Sequence, residues 1–228
     1  MTIGIMGAMV EEIEPILEYY KEYEIVEYAS NKFFIVQNED KKLVIAYSKI
    51  GKVFASITAV TMIEKFGSEK ILFSGVAGAI NEQLKIGDLI VATKLCQHDV
   101  DITAFGHPFG YIPEGKVFIE ADKGLIEIAK NVSSDLNIEL KDGVIATGDQ
   151  FIADSAKKEW IKNNFHADAL EMEGASVAVV CDSLNIPFLI LRAISDSADM
   201  DASFSFDEFL KTSAKVSAEF IISMVKKL

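Results

Sequence analysis

One arginine, two cysteines, three histidines and four prolines are all that 228 residues hold of those types. Each scarcity excludes something. The 22 basic residues, all lysine except Arg192, face 35 acidic ones, for a formal net charge of −13. A nucleic-acid backbone and an anionic membrane surface both call for basic patches, so neither is expected as a partner. No apolar run approaches the ~18 residues that a spanning helix needs. Cys96 and Cys181 lie far apart in apolar stretches. They read as buried, reduced thiols of a cytoplasmic protein rather than a disulfide framework. The segment His98-Asp99-Val100-Asp101 could be drawn as a metal site, but histidine is scarce and no cysteine pair motif accompanies it, so no metal is expected. Met1 to Val10 carries no basic region, so no signal peptide is expected. There is no Walker motif, no Gly-x-Gly-x-x-Gly fingerprint and no Gly-x-Ser-x-Gly elbow. No cofactor is therefore anticipated.

What is present is a hydrophobic chain, 50% apolar, long enough to bury roughly 70–75% of its unfolded surface. Apolar runs alternate with helical periodicity. Ile3-Gly4-Ile5-Met6 reads as a strand, followed by a helix from Val10 to about Tyr20 with Ile13, Ile16, Leu17 and Tyr20 on one face. Pro15 fits near its start. Phe33 to Val36 and Leu43 to Tyr47 predict a hairpin around Asn38-Glu39-Asp40-Lys41. A helix from Gly51 to about Phe66, strands at Lys70–Ser74 and Leu89–Ala92, and a helix over Leu125–Leu136 follow. The series closes with a strand at Gly143–Thr147, a helix at Ser176–Leu184, the strand ending at Arg192, and a helix over Phe206–Lys227. No linker, repeat or low-complexity tract divides it. The expectation is an α/β fold in one domain, residues 1–228: three αβα layers, with a mixed, mostly parallel central sheet flanked by helices.

In such sheets ligands bind beyond the carboxyl ends of the strands, and the unusual residues cluster there. Arg192 ends the run Ile186-Pro187-Phe188-Leu189-Ile190-Leu191. A charge at the end of a buried strand is costly unless paired or used, so Arg192 is either a structural ion pair or part of a site. Glu11 and Glu12 follow the first strand, where helix-start acids are also favoured by the macrodipole. Residues two apart in an extended segment face one side, so Glu171 and Glu173 would converge, unless both are solvated acids of a helix start. Asp196 follows a strand too apolar to leave it casually in solvent, with turn capping beside Ser195 and Ser197 as the plain alternative. Three acids and one arginine at strand ends suit glycosidic chemistry. One carboxylic acid protonates a leaving group, a carboxylate activates water, and a third accepts hydrogen bonds from two vicinal hydroxyls.

Several segments, in one order from end to end, resemble a known family. They are Gly4-Ile5-Met6-Gly7-Ala8-Met9 with Glu11-Glu12, Lys49-Ile50-Gly51-Lys52-Val53, Ser74-Gly75-Val76-Ala77-Gly78, Asp101-Ile102-Thr103-Ala104-Phe105-Gly106, Thr147-Gly148-Asp149, Glu171-Met172-Glu173-Gly174-Ala175 and Arg192-Ala193-Ile194-Ser195-Asp196. Together they are similar to the 5′-methylthioadenosine/S-adenosylhomocysteine nucleosidases, which have a nucleoside phosphorylase-like fold. Phe73 to Gly78, Gln97 to Asp101 and Glu173 to Val177 carry a narrower resemblance to the bacterial branch that also cleaves 6-amino-6-deoxyfutalosine. The resemblance implies hydrolysis of adenine nucleosides, 5′-deoxyadenosine among them, to adenine and the 5′-substituted ribose. That would serve methionine salvage and menaquinone synthesis.

Carried over residue by residue, the resemblance makes Asp196 the general acid at adenine N7 and Glu12 the residue that activates water. Glu173 would hold the ribose hydroxyls, with Met172 beside the sugar, while Arg192 would position Glu173 or the water. Phe151 would pack on the purine and the Ile152 backbone would read its amino edge. Ala8, Met9, Ile50, Gly78 and Phe206 would line the pocket. Ile102, Phe105 and Pro113 match positions lent across a homodimer to the 5′ substituent. Better-known members carry serine where this chain has Val76. The change removes a hydroxyl and adds apolar surface, which favours the protonated form of a neighbouring acid; position 76 is therefore expected to line the pocket with no polar role. Two other readings remain. A purine nucleoside phosphorylase needs cations for phosphate, which a carboxylate at Glu12 would repel. A non-catalytic adenosine-binding protein would have lost Glu12 or Asp196.

Overall fold

The structure, a computed structural model, describes residues 1–196 and 202–228, with side chains described through Asp196 and again from Phe209. In chain order it runs β1 (Thr2–Gly7), α1 (Val10–Tyr20), β2 (Glu24–Tyr28), β3 (Asn31–Asn38), β4 (Lys41–Tyr47), α2 (Lys52–Val60) and β5 (Lys70–Ala79). Then come β6 (Leu89–Gln97), β7 (Ile119–Glu120), α3 (Lys123–Leu136), β8 (Leu140–Thr147), α4 (Ser155–Phe165), β9 (Ala169–Glu171), α5 (Gly174–Leu184), β10 (Phe188–Asp196) and α6 (Ala202–Lys227). A single π turn, Thr61–Lys65, extends α2, and a 3₁₀ turn covers Thr103–Phe105.

All 10 strands belong to one mixed sheet. β4, β1, β5 and β10 lie side by side and parallel, so the apolar runs predicted as strands are buried on both faces. One core packs Met6, Phe73, Ile190 and Ile194 against α2 and α5. The other packs Ile3, Ile5, Leu72 and Leu191 against α1, α3 and α6. The three-layer α/β expectation for the fold thus stands. Its curvature was not anticipated. β10 also pairs with β6, β6 with β8, β8 with β9, and β9 with Gly78 and Ala79 at the end of β5. Half of the sheet therefore closes into a ring, β5-β10-β6-β8-β9, in which β5 and β10 run opposite to β6, β8 and β9. Residues at or just past the carboxyl ends of β5, β8, β9 and β10 line one cavity.

Four elements lacked a sequence signal, among them β7 with only 2 residues. α4 buries only Ile161 and Phe165, too few for a clear helical stripe. β9 has 3 residues, below the length at which alternation can be read. β2 is an edge strand, largely exposed. Among the described residues no helix is long and apolar enough to cross a membrane, and Cys96 and Cys181 are buried and free.

Candidate active site

A cavity of about 330 Å³ opens at the converging strand ends. Ala8, Met9, Glu12, Ile50, Val76, Gly78, Phe151, Ile152, Met172, Glu173 and Asp196 all line it. Ala77, Gln150, Leu170, Glu171 and Ser195 complete the wall and were not foreseen there. Arg192 is not part of the wall, and neither are Ile102, Phe105 and Pro113. Phe206 falls outside the described side chains.

Glu12 stands in the first turn of α1 and folds back over the end of β1. Its Oε2 accepts the amides of Ala8 at 2.5 Å and Met9 at 3.0 Å, and its Oε1 accepts that of Val76 at 3.0 Å. Position 76 thus serves the site through its backbone, whatever its side chain. Burial pushes the Glu12 carboxyl above its ordinary pKa, while Arg192 and the three amides pull the other way. Gly75 makes this closeness possible. A Cβ there would fall 2.6 Å from Glu12 Oε1 and 2.9 Å from Arg192 Nη1.

The pair Glu171 and Glu173 converges on the cavity as expected, but not as one extended segment. β9 stops at Glu171, the chain bends, and Glu173 becomes the residue before α5. Both side chains are buried, on different partners. Glu173 Oε1 accepts the Gly51 amide at 2.9 Å. Burial, with the charge of Glu171 second, raises its pKa to about 8 against the pull of Arg192. Glu171 is the ion-pair partner of Arg192, at 2.6 Å from Nη2. Arg192, expected to position Glu173 or the water, makes its direct ion pair with Glu171 and acts on Glu173 only through its charge. The guanidinium also stacks on Phe73, 4.1 Å from the ring centroid. Burial alone would lower the Arg192 pKa, but Glu171, Glu12 and Glu173 together raise it.

Asp196 ends β10 just past an irregularity between Ile194 and Asp196 in the pairing with β5. Such bulges re-aim side chains, and here Ser195 Oγ donates to Asp196 Oδ2 at 2.9 Å. Opposite, the chain leaving β8 runs over His98. A Cβ on Gly148 would lie 2.4 Å from the His98 ring, so only glycine lets the segment carrying Gln150, Phe151 and Ile152 pass. Burial lowers His98 to a pKa of about 4. Asp149 Oδ1 accepts the Lys52 amide at 2.8 Å, and Asp99 takes Lys52 Nζ at 2.7 Å and the Asp149 amide at 2.9 Å. The segment His98-Asp99-Val100-Asp101 is thus used for structure. Among the described residues no group of three His, Cys, Asp or Glu is arranged to hold a metal.

The profile of the phosphorylase superfamily matches residues 2–226. An aminodeoxyfutalosine nucleosidase of Campylobacter jejuni is 55% identical over 228 residues, covering 100% of both chains. A 5′-methylthioadenosine/S-adenosylhomocysteine nucleosidase of Oceanobacillus iheyensis is 41% identical over 229 residues, again covering 100% of both. Among solved structures, the 5′-methylthioadenosine/S-adenosylhomocysteine nucleosidase of Helicobacter pylori with butyl-thio-DADMe-Immucillin-A superimposes with a TM-score of 0.98. It is 51% identical and covers 100% of this chain and 98% of its own.

Proposed function

The chain belongs to the phosphorylase superfamily and is a hydrolase of N-glycosyl bonds; from that premise we propose which nucleosides it cleaves and which residues do so. The substrates are adenine nucleosides with a modified 5′ position: 5′-methylthioadenosine, S-adenosylhomocysteine, 5′-deoxyadenosine and 6-amino-6-deoxyfutalosine. That range would serve both methionine salvage and menaquinone synthesis. The observation that carries the reading is that Glu12, Glu173 and Asp196 meet on one cavity, whose other walls are mainly apolar.

Adenine leaves poorly as an anion. Asp196 protonates N7, and the Ser195 hydroxyl that donates to its carboxyl holds the group in line. Glu12, fixed by three amides on its two oxygens, orients water and accepts its proton. Glu173 lies across the ribose hydroxyls. The positive charge that develops on the sugar is favoured by buried carboxylates in a site with little water. Phe151 offers a ring to the purine, and Met172 packs beside the sugar. Phosphorolysis, common in a superfamily named for it, fits less well. The one arginine is engaged by Glu171, and Glu12 occupies the side from which a phosphate would attack.

The 5′ end of the nucleoside points to the open side, where Ile50 and Phe151 are 53% and 50% exposed. Phe105, 82% exposed and outside the wall of its own cavity, fits a residue supplied to a second copy, with Ile102 and Pro113. Exposed Val53, Phe54, Ile57 and Val60 on α2 give such a homodimer an apolar seat. Two buried free thiols fit a reducing cytoplasm. Purified protein is expected to release adenine from both methylthioadenosine and aminodeoxyfutalosine. Release from neither, under conditions where both bind, would overturn the reading.

A further inference from the structure

Three of the site's four buried carboxylates, Glu12, Glu171 and Glu173, act on one buried cation, Arg192. Which carboxylate receives the cation decides what the other two can do, and Glu171 is the member to which the reading above gives no task.

Every contact of Glu171 is donated to it. Oε2 accepts Arg192 Nη2 at 2.6 Å, the Gly174 amide at 2.6 Å and the Glu173 amide at 3.1 Å. Oε1 accepts the Thr147 hydroxyl. That hydroxyl itself accepts the Ala175 amide at 2.8 Å, so its single proton is committed to Glu171. One carboxylate thereby ties together β8, β9, β10 and the start of α5, the turn that aims Glu173 into the cavity.

We propose that Glu171 is a positioning residue that allots the site's one cation: it holds Arg192 Nη2 for itself, while Nη1 donates to the Leu191 carbonyl at 3.3 Å, so that neither Glu173 nor Glu12 is bonded to the guanidinium. Glu173 is left with a single amide as its described donor. The reading of Glu173 as the ribose-binding carboxylate is the premise here. Four elements face Glu173: β9 with Glu171, β10 with Arg192, α1 with Glu12, and the start of α2 with the Gly51 amide. Two of these groups are negative, and the cation is bonded to Glu171 rather than to Glu173. In this arrangement Glu173 retains a proton at pH values where an ordinary carboxyl has lost it. It can then donate to one ribose hydroxyl while accepting from the other. Glu12, whose carboxyl accepts three amides where that of Glu173 accepts one, is the acid placed to serve as base.

Carbon-13 NMR of the glutamate carboxyls in the free protein tests this without any turnover, with Glu173→Gln assigning the signal. In Glu171→Gln the Glu173 midpoint is expected to fall by about one pH unit or more, because a neighbouring negative charge is gone and Arg192 is released. Glu171→Asp keeps the charge but draws it back, and should move the midpoint the same way by less. It also provides the test should the glutamine variant fail to fold. The alkaline limb of kcat/KM should move with the NMR midpoint. A Glu173 midpoint unchanged in the variants that fold, with activity lost evenly across pH, would make Glu171 merely structural and overturn the proposal. A wild type that releases no adenine would instead sink the assigned reaction and leave the titration result standing.

Discussion

The floor and the mouth of the cavity are built on opposite principles. At the floor every charge is buried and held by hydrogen bonds: Glu12 by three amides, Glu171 by Arg192, Glu173 by the Gly51 amide, and Asp196 by Ser195. At the mouth, Ile50 and Phe151 are half exposed, and the apolar residues that resemble a 5′ subsite, Ile102, Phe105 and Pro113, do not reach the chain's own cavity. A floor of this kind is fixed by one chain and should dictate reaction type. A mouth of this kind is open to completion by the second copy proposed above, and should dictate which 5′ substituent is accepted.

Breaking the floor should therefore be far costlier than altering the mouth. Asp196→Asn is expected to lower kcat by at least a hundredfold while a nucleoside still binds, since general acid catalysis contributes roughly 10²–10⁴. Steady-state rates alongside calorimetric binding check this, and turnover within tenfold of wild type would remove Asp196 from its role. Glu12→Gln should behave alike.

Next in size is the pH response of the folded protein. Glu173, raised to about 8, holds in the folded state a proton that the unfolded chain gives up near 4.5. Its contribution to stability is full below about 4.5 and is lost as the pH rises through about 8. His98, lowered to about 4, acts in the opposite sense. Its contribution is full above its ordinary 6.5 and is lost as the pH falls through about 4. Thermal melts from pH 4 to 9 should show Glu173→Gln losing the alkaline decline while the acid decline stays. Identical alkaline slopes in wild type and variant would contradict the burial of Glu173.

The smallest effect belongs to the mouth. Phe105→Ala should raise KM for methylthioadenosine by about tenfold, the worth of an aromatic contact of roughly 1–1.5 kcal/mol, and leave kcat within about twofold. If Phe105 is supplied in trans, mixing Phe105→Ala with inactive Asp196→Asn should regenerate some sites with wild-type KM. No such sites after subunit exchange would argue that each chain works alone.

The sequence was most legible where function demands departures from ordinary strand chemistry. Arg192, Glu12 and Asp196 stood out as charges at the ends of apolar runs, and each of those runs is a buried strand in the sheet. What could not be read were effects of closure and of backbone direction. The ring through β9 depends on a 3-residue strand that no periodicity reveals. The bend after Glu171 gives the two acids of one cavity different partners, so Arg192 pairs with the acid that received no role of its own. The Gly51 and Val76 amides serve the site without their side chains, which residue identity alone cannot signal. Gly148 could have been weighed as a crossing point, but its partner His98 lies 50 residues away in sequence.

Free sugar against sugar phosphate is the most direct measurement of the claim that the floor dictates hydrolysis. Purified protein with methylthioadenosine, assayed with no phosphate and then with phosphate in excess, should release adenine at the same rate in both. The product should be the free methylthioribose each time. Release that requires phosphate and yields the sugar 1-phosphate would contradict the account, because Glu12 would then face an anion rather than water.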